Sequence, residues 1–390
     1  MIGVASVDLL LILIIKGLLT ARMVLPNRCQ RLWVRDPGRR DGAVLDAGDL
    51  IGFHSRKRQA TKTSNKHDRE NAMGRGGQAL VLAVAWLAGP TAVASANDVL
   101  RAAIPQRGLW DTAVTELGKR SGILQRHGLD VEILFTQGGP EAYQAVVSGS
   151  MDVSCGGGIE AAVGAFAKGA PLRIIGSEMV GSPDTYWYVV ANSPIQSLRD
   201  AVGKTISYSQ NGSSSHAALL SLLDQYKVDA KPVATGGHPA TLTMAMTGQI
   251  DIGRGAAPFG LELVENGTLR IIARGSEIKA RADETVRVCV ANVQTLQRKD
   301  VVARYMQAYR ETIDWMYGDP AALAAYEDFS KVPARQMQKW RDEFFPKNTM
   351  SPDEIKGLDL VLADVLKNRF VTAPLTADQI KDMIQIPPPR

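Results

Sequence analysis

The sequence predicts an α/β protein with two similar Rossmann-like lobes, whose sheets are mainly parallel and which two crossover strands join. The first observation is a repeat, because residues 142–176 recur in altered form as residues 240–273. The second is the alternation, from Asp98 onward, of short β-like runs with segments of helical periodicity, which is typical of parallel sheets covered by helices. The third is a pair of longer β-rich runs, TYWYVVA at 185–191 and ETVRVCVA at 284–291, placed where the chain would pass between the lobes and return.

Some residues of the repeat are shared by both copies, and others are not. Gly149 and Asp152 of the first copy match Gly248 and Asp251 of the second, and this recurrence favours a structural role in a turn or cap. At the next matching point the copies differ. Cys155 and three glycines stand in the first copy, and Arg254 stands at nearly the same place in the second. We expect the ligand to contact the residues that the two copies do not share.

Each lobe is assembled from short elements in chain order. The first lobe is predicted to contain strands at 99–104, 130–135, 151–155 and 172–176, with helices at 110–121, 141–148 and 159–168. The second is predicted to contain strands near 203–206 and at 232–234, 250–253 and 269–273, with helices at 213–226, 240–247 and 258–266. Pro140 suits a helix start, where its missing N–H would have no partner in any case. The predicted domains are 97–188 with 288–390 for lobe one, and 189–287 for lobe two.

The C-terminal part of the chain has few β signals. Amphipathic helical segments are predicted at 297–317, 320–329, 334–344 and 352–367, and two of them follow the Asp-Pro and Ser-Pro pairs at 319–320 and 351–352. Such pairs are typical of the N-cap and first position of a helix. We therefore expect a helical tail packed on lobe one.

The N-terminal part has the features of an export signal. Residues 73–96 combine Arg75, an apolar stretch at 79–88 and the small residues Ala94-Ser95-Ala96, the order found in secretory signal peptides. The expectation is cleavage near Ala96, with Met73 as the initiator and 1–72 as an unused or disordered extension. The alternative is that the apolar run at 9–15 belongs to a membrane anchor.

The charge of the chain is unevenly distributed, and this argues against nucleic acid as a partner. Of the 45 basic and 40 acidic residues, 14 and 7 lie in residues 1–96, so the remaining chain has 31 and 33. The body therefore has no basic excess for phosphate backbones. Cys155 and Cys289 are either two small buried side chains or, if the protein is exported, a disulfide.

Two features of the predicted cleft suggest an anionic ligand. Ser213, Ser214 and Ser215 precede a helix, where free N–H groups and hydroxyls can hold a negative group; the alternative is a turn with one capping serine. Arg254 is the charged residue at its strand end and suits a carboxylate, sulfonate or phosphate; the alternative is a salt bridge.

Other polar residues are weaker candidates for ligand contact. Glu141 and Glu160 fit helix starts, and His216 and His238 fit polar surface groups. The motifs of serine hydrolases, zinc proteases and nucleotide-binding loops do not occur.

Five ordered segments carry a family resemblance. The segments GLWDTAVTELGKRSGILQRHGLDVEI, AYQAVVSGSMDVSCGG and SPIQSLRDAVGKTISYSQNGSSSHAALLSLLDQY resemble the sulfonate/nitrate/taurine-type substrate-binding proteins of ABC transporters, as do TGQIDIGRGAAP and LVENGTLRIIA. The similarity covers about residues 98–345. It implies a type II periplasmic binding protein that closes on a small ligand. By position it implies a cleft lined by Gln106, Gly157, Thr185, Ser213, Ser214, Ser215 and Arg254.

The resemblance implies a function as well as a fold. We expect a monomeric periplasmic solute-binding protein that carries a small anion to an ABC permease in the inner membrane, without enzymatic activity and without a cofactor or metal. The family also includes proteins similar to binders and synthases of thiamine-pyrimidine precursors, and this chain lacks the cysteine-rich motif of the synthases. The alternatives are an enzyme of that type and a periplasmic ligand sensor.

Overall fold

The computed structural model describes residues 97–389, so the predicted signal peptide and the 1–72 extension lie outside the described residues. The strands are β1 Asp98–Pro105, β2 Leu129–Thr136, β3 Val153–Gly158, β4 Leu172–Val180, β5 Thr185–Val190, β6 Thr205–Tyr208, β7 Lys231–Ala234, β8 Gly253–Ala256, β9 Leu269–Arg274 and β10 Thr285–Asn292. The helices are α1 Val114–Arg120, α2 Ile123–Arg126, α3 Gly139–Val147, α4 Ile159–Ala167, α5 Ser214–Tyr226, α6 His238–Met246, α7 Leu261–Glu265, α8 Val293–Leu296, α9 Lys299–Gly318, α10 Ala321–Ser330, α11 Ala334–Phe344, α12 Leu358–Lys367 and α13 Ala377–Met383. No helix among these residues is both long and apolar enough to span a membrane.

The first lobe is built on a five-stranded sheet in the order β2-β1-β3-β10-β4. Strand β1 runs parallel to β2 and β3, whereas β10 is antiparallel to both of its neighbours. Strand β10 comes from much later in the chain than the other four. It is therefore the strand that returns from the second lobe, as the ETVRVCVA run predicts.

The second lobe repeats this order with different strands. Strand β6 pairs with β7 in parallel, and a parallel bridge from Ile206 to Ile252 connects β6 to the start of β8. Strand β5 is antiparallel to β8 and β9. The resulting order, β7-β6-β8-β5-β9, matches β2-β1-β3-β10-β4 strand for strand. The predicted α/β fold with two similar lobes is confirmed.

The chain crosses between the two sheets in two short segments. The first falls at residues 181–184, between β4 and β5, and the second falls at residues 275–284, between β9 and β10. Both lie a few residues before the predicted boundaries at 188/189 and 287/288. The exact limits of the two domains remain a prediction.

The residues shared by the repeat have the structural role that their recurrence predicts. Asp152 accepts a hydrogen bond from the backbone N–H of Arg101 in β1 at 2.8 Å, and Asp251 does the same for Thr205 in β6, also at 2.8 Å. Gly149 and Gly248 follow their helices with φ of +75° and +72°, a conformation that glycine adopts without strain. In each copy, therefore, the glycine ends a helix and the aspartate caps the neighbouring strand.

The C-terminal helices pack on lobe one, as predicted, and also contact lobe two. Helix α9 buries one face against α1 and α2. On the other lobe, the carboxylate of Glu265 accepts hydrogen bonds from Lys339 Nζ at 3.0 Å and Trp340 Nε1 at 3.1 Å, both on α11. On the opposite side of the tail, Lys367 of α12 pairs with Asp224 of lobe two at 2.9 Å.

One predicted helix start in the tail is wrong. The helix expected from Pro352 begins only at Leu358, because the preceding segment pairs with lobe one. The Pro352 carbonyl accepts a hydrogen bond from Ser177 N at 3.1 Å, and the Lys356 carbonyl accepts one from Thr285 N at 3.0 Å. Asp319 does cap the start of α10, since its carboxylate accepts from the N–H of Ala321 at 2.8 Å.

Candidate functional site

A small cavity of about 30 Å³ lies where the carboxyl ends of the strands of the two lobes meet. Five of the seven residues predicted for the cleft contribute to its wall, namely Gln106, Ser213, Ser214, Ser215 and Arg254. The other lining residues are Pro105, Leu109, Thr112, Gly139, Gly156, Gly158, Ser209 and Arg287. The cavity is therefore shared by the first turn of α5, by Arg254 of β8 and by the ends of β1 and β3.

Arg254 supplies a buried and unpaired positive charge to this cavity. Its side chain lies on β8 with a residue exposure of 3%, and neither Nε nor Nη2 has a hydrogen-bond partner among the described residues. No Asp or Glu of residues 97–389 forms an ion pair with it, so the salt-bridge alternative is wrong for this region. Burial lowers the pKa of Arg254 to about 10, which leaves the guanidinium cationic at neutral pH.

The position of Arg254 follows from the repeat. Arg254 stands opposite Trp187 in the β8–β5 pair, and Cys155 stands opposite Cys289 in the equivalent β3–β10 pair. The two cysteines form a disulfide, so this alternative of the sequence analysis is the one observed. Lobe one thus has a cross-link at the place where lobe two presents its free cation.

The serines at the start of α5 are partly engaged with one another. Ser213 is the N-cap and accepts a hydrogen bond from His216 N at 3.2 Å, while Ser215 Oγ accepts one from Ser209 N at 3.0 Å. The segment is compatible with both alternatives, and contact of its serines with a ligand stays a prediction. It is a capped turn, and it also faces the cavity with the N-terminal end of a helix, which favours a negative group.

A second arginine in the wall, Arg287, was not among the predicted residues. It forms ion pairs with Asp111 and, at 2.7 Å, with Asp184, and all three side chains are buried. Burial acts to lower the pKa of Arg287, but Asp184 and Asp111 raise it overall, so the group is firmly cationic. Its charge is compensated by carboxylates, which distinguishes it from Arg254. The available signal was a single charge within the apolar run VRVCVA at 286–291.

Gln106 lies at the turn that follows β1 and is held there by its backbone. Its φ is +55°, an uncommon value for a residue other than glycine. Its N–H donates to the Thr136 carbonyl at 2.9 Å, and its own carbonyl accepts from Thr112 Oγ1 at 3.2 Å. These bonds fix the residue at the mouth of the cavity from the lobe-one side.

Two predicted residues lie close to the cavity but not in its wall. A side chain at Gly157 would meet the ring of Tyr143, at 2.3 Å from its nearest atom, so this position faces the lobe-one core. Thr185 begins β5 opposite Ala256, and its hydroxyl is 3.4 Å from Asp184 Oδ1. Their contact with a ligand remains a prediction.

Three of the weaker candidates have roles in packing. Glu160 is buried at the start of α4 and forms an ion pair with Arg281, beyond the helix-dipole role expected for it. His216 stacks on Tyr208, with ring centroids 4.2 Å apart. His238 was expected at the surface, and this is wrong, because it is 5% exposed and stacks on Phe259. Burial, together with the charges of Arg254 and Arg287, lowers the pKa of His238 far enough to keep its ring neutral.

The two lobes touch directly beside the cavity. A methyl group at Gly158 of lobe one would lie 2.6 Å from the backbone nitrogen of Ser214 in lobe two. A side chain at Gly237 of lobe two would lie 2.6 Å from Gln137 of lobe one. Glycine at these positions permits the close approach of the lobes.

The wall of the cavity does not have the groups of a hydrolytic or covalent mechanism. Its lining residues include no carboxylate, imidazole or thiol, and Cys155 is in the disulfide. The hydroxyls of Ser213 and Ser215 bond to each other at 3.0 Å and not to a ring nitrogen of His216, whose Nδ1 accepts from Gly212 N at 3.2 Å. An activated serine needs a hydrogen-bonded base, and no described residue supplies one to Ser213 or Ser215.

Comparison with known proteins agrees with this architecture. The alkanesulfonate-binding protein SsuA of Xanthomonas axonopodis pv. citri, bound to MOPS, is 19% identical over 70% of this chain and 92% of its own, with a TM-score of 0.59. The periplasmic aliphatic sulphonate binding protein SsuA of Escherichia coli is 19% identical over 75% of this chain and 93% of its own, with a TM-score of 0.60. The desulfurization enzyme DszB is 14% identical over 74% and 97%, with a TM-score of 0.52.

At these identities the solved structures establish a shared fold. No curated protein sequence matches the chain significantly. The model of the family described as NMT1/THI5 like matches residues 115–323, which is more than half of the chain and includes both halves of the repeat. This chain therefore belongs to the NMT1/THI5-like family.

Proposed function

We propose that this protein is the periplasmic solute-binding component of an ABC importer and that it binds a small organic or inorganic anion, of the sulfonate, nitrate, taurine or carboxylate class, between its lobes. The observation that carries the proposal is Arg254. A buried cation that forms no ion pair is unfavourable, and an anionic ligand with oxygen atoms would provide a charge partner and hydrogen-bond acceptors. The N-terminal end of α5 would add N–H groups to the same anion.

The arrangement of the cavity supports closure about a hinge. Arg254 and the serines of α5 belong to lobe two, and Gln106 and Gly158 belong to lobe one. A ligand that contacts both sets stabilises the closed form relative to the open form by the difference between its affinities for them. The closed protein, as a monomer, would then dock through the rims of its two lobes on a permease in the inner membrane. The sulfonate-binding proteins that share the fold support this assignment.

An enzyme is the second candidate, because the desulfurization enzyme DszB shares the fold. The chemistry of the wall argues against it, since the lining residues provide an anion receptor without a nucleophile and base. A periplasmic sensor would use the same binding step and would differ only in its protein partner.

The proposal is tested by a thermal-shift screen of the purified protein against alkanesulfonates, taurine, nitrate and small carboxylates. We expect one class to raise the melting temperature in a concentration-dependent way, without conversion of the ligand. Turnover of a compound that gives no such stabilisation would contradict the proposal and favour the enzyme.

Arg254→Met tests the site itself. We expect the affinity to fall by at least about 30-fold, because truncation of a buried charge partner removes about 2–5 kcal/mol. The ligand-free variant should be at least as stable as the wild type, since a buried unpaired cation is lost. Arg335→Met, on the exposed face of α11, is the matched control and should leave the affinity unchanged. Retention of wild-type affinity by Arg254→Met would remove this residue from the site.

A further inference from the structure

The amide of Gln106 has one oxygen that no protein group satisfies. Its Nε2 donates to the backbone carbonyl of Gln137 at 3.2 Å, whereas its Oε1 is buried and receives no hydrogen bond from any described residue. Gln106 is also a lining residue of the cavity. Buried polar atoms in folded proteins nearly always have partners, so an acceptor left open at a binding cavity indicates a donor on the ligand.

The orientation of this amide is determined by chemistry. A backbone carbonyl can only accept hydrogen bonds, so the group that faces Gln137 O must be the NH₂ of the amide. A flipped amide would place two oxygens against each other. The backbone of Gln106 is fixed by its bonds to Thr136 and Thr112, so the side chain cannot avoid this constraint by a shift of the turn.

The open acceptor and the open donors lie on different lobes. Gln106 follows β1 in lobe one, and Arg254 with its free Nε and Nη2 lies on β8 in lobe two. A ligand that has only an anionic group satisfies lobe two and leaves the lobe-one acceptor without a partner. A ligand that also has an O–H or N–H group bonds to both lobes.

The size of the cavity limits the separation of these two groups. A water molecule needs about 10–15 Å³ of such a cavity, so a volume of about 30 Å³ accommodates two or three groups of that size. A cavity of this size favours a ligand whose anionic group and donor are separated by only one or two atoms.

We infer that the ligand is a small oxyanion that also has a hydrogen-bond donor close to its charge, such as a short hydroxy- or amino-substituted sulfonate or carboxylate, and that Gln106 Oε1 accepts from this donor. This inference rests on the proposed function, because it assumes that Arg254 receives the anion. It makes Gln106 a determinant of specificity and of lobe closure.

The test compares pairs of ligands that differ only in the donor. Isethionate and 1-propanesulfonate form one pair, and glycolate and propionate form the other. Calorimetry on the purified protein should show that the donor-bearing member of the preferred pair binds at least about 10-fold more tightly, because the other member leaves a buried acceptor unpaired.

Gln106→Met assigns this preference to the proposed atom. Methionine retains the length and the unbranched shape of the side chain but has no amide oxygen, so the preference should fall to about twofold or less. The control is Gln210→Met. Gln210 Oε1 is also buried without a partner, but it faces Gly138 at the seam between the lobes and does not line the cavity. This variant should change both members of a pair alike and keep their ratio.

The outcomes separate the two proposals. If no anion of either kind binds, the proposed function fails. If both members bind within about twofold of each other in the wild type, or if the preference survives in Gln106→Met, anion binding stands and the inference about Gln106 is overturned.

Discussion

Gly158→Ala is expected to obstruct the closure of the lobes without disturbing the fold of either one. Gly158 has φ of −65° and ψ of 137°, which alanine adopts without strain. The added methyl carbon would lie 2.6 Å from Ser214 N and 3.2 Å from the carbonyl carbon of Ser213, whereas ordinary contacts begin at 3.4 Å. Both of these atoms are backbone atoms of the opposite lobe and cannot rotate away.

The magnitude follows from this overlap. To restore an ordinary contact the lobes must separate by roughly 0.8 Å, the difference between 3.4 and 2.6 Å. Overpacking of this kind destabilises the packed arrangement by about 1–3 kcal/mol. In the proposed hinge motion an open form has room for the methyl group, so this free energy would act on closure, and we expect ligand affinity to fall by about 5- to 150-fold.

Calorimetric titration with the anion that most stabilises the wild type measures this change, and thermal unfolding without ligand measures the fold. The ligand-free melting temperature should stay within about 2 °C of the wild type. Gly318→Ala is the matched control, because a methyl group there meets no atom within 4 Å, and it should affect neither measurement. An affinity for Gly158→Ala within about twofold of the wild type would refute the argument that these backbones meet on closure.

Three further predictions concern stability. Replacement of Cys155 and Cys289 by alanine opens a cross-link between residues 134 positions apart and should lower the free energy of unfolding by about 4–5 kcal/mol in denaturant titrations; an unchanged midpoint would show that the disulfide does not form. Asp251→Ala removes the acceptor for the N–H and hydroxyl of Thr205 and should lower the free energy of unfolding by about 1–3 kcal/mol. An unaltered free energy of unfolding would argue against the capping role of Asp251. Burial, with the charge of neighbouring Asp111, raises the pKa of Glu178 well above its ordinary value, so the native state retains a proton that the unfolded chain releases. Stability of the wild type relative to Glu178→Gln should therefore decrease as the pH rises from about 4.5, and a constant difference between pH 5 and pH 8 would contradict the buried neutral carboxyl.

The features that the sequence predicts well are those that depend on neighbouring residues. The repeat predicted two similar lobes, and its shared Gly149/Gly248 and Asp152/Asp251 pairs have the same turn and cap geometry in both. Arg254 also belongs here. It stood out because it interrupts the correspondence between the two copies, although it lies inside β8 and not after the strand, as the predicted limits 250–253 implied.

The features that the sequence misses are contacts between distant segments. Arg287 pairs with Asp111 and Asp184, which are 176 and 103 positions away, and no spacing rule connects them. The tail was expected on lobe one, and its contact with Glu265 of lobe two arises only once α11 is packed. Gly157 was assigned to the cleft from its position in the family pattern. The face of the strand on which it lies is decided by packing, and position 157 faces Tyr143 and the lobe-one core.

By itself, the sequence determined the α/β lobes, their duplication, the turns and caps shared by the two copies and the candidate cation, because periodicity, capping and turn formation are local interactions. The tertiary structure decided which charges are compensated and which are left open. Arg287 is neutralised and Arg254 is not, and the Oε1 of Gln106 lacks a partner while its Nε2 has one. Whether a buried polar atom has a partner depends on groups that folding brings together from elsewhere in the chain, so the chemistry of the site emerges only in the folded protein.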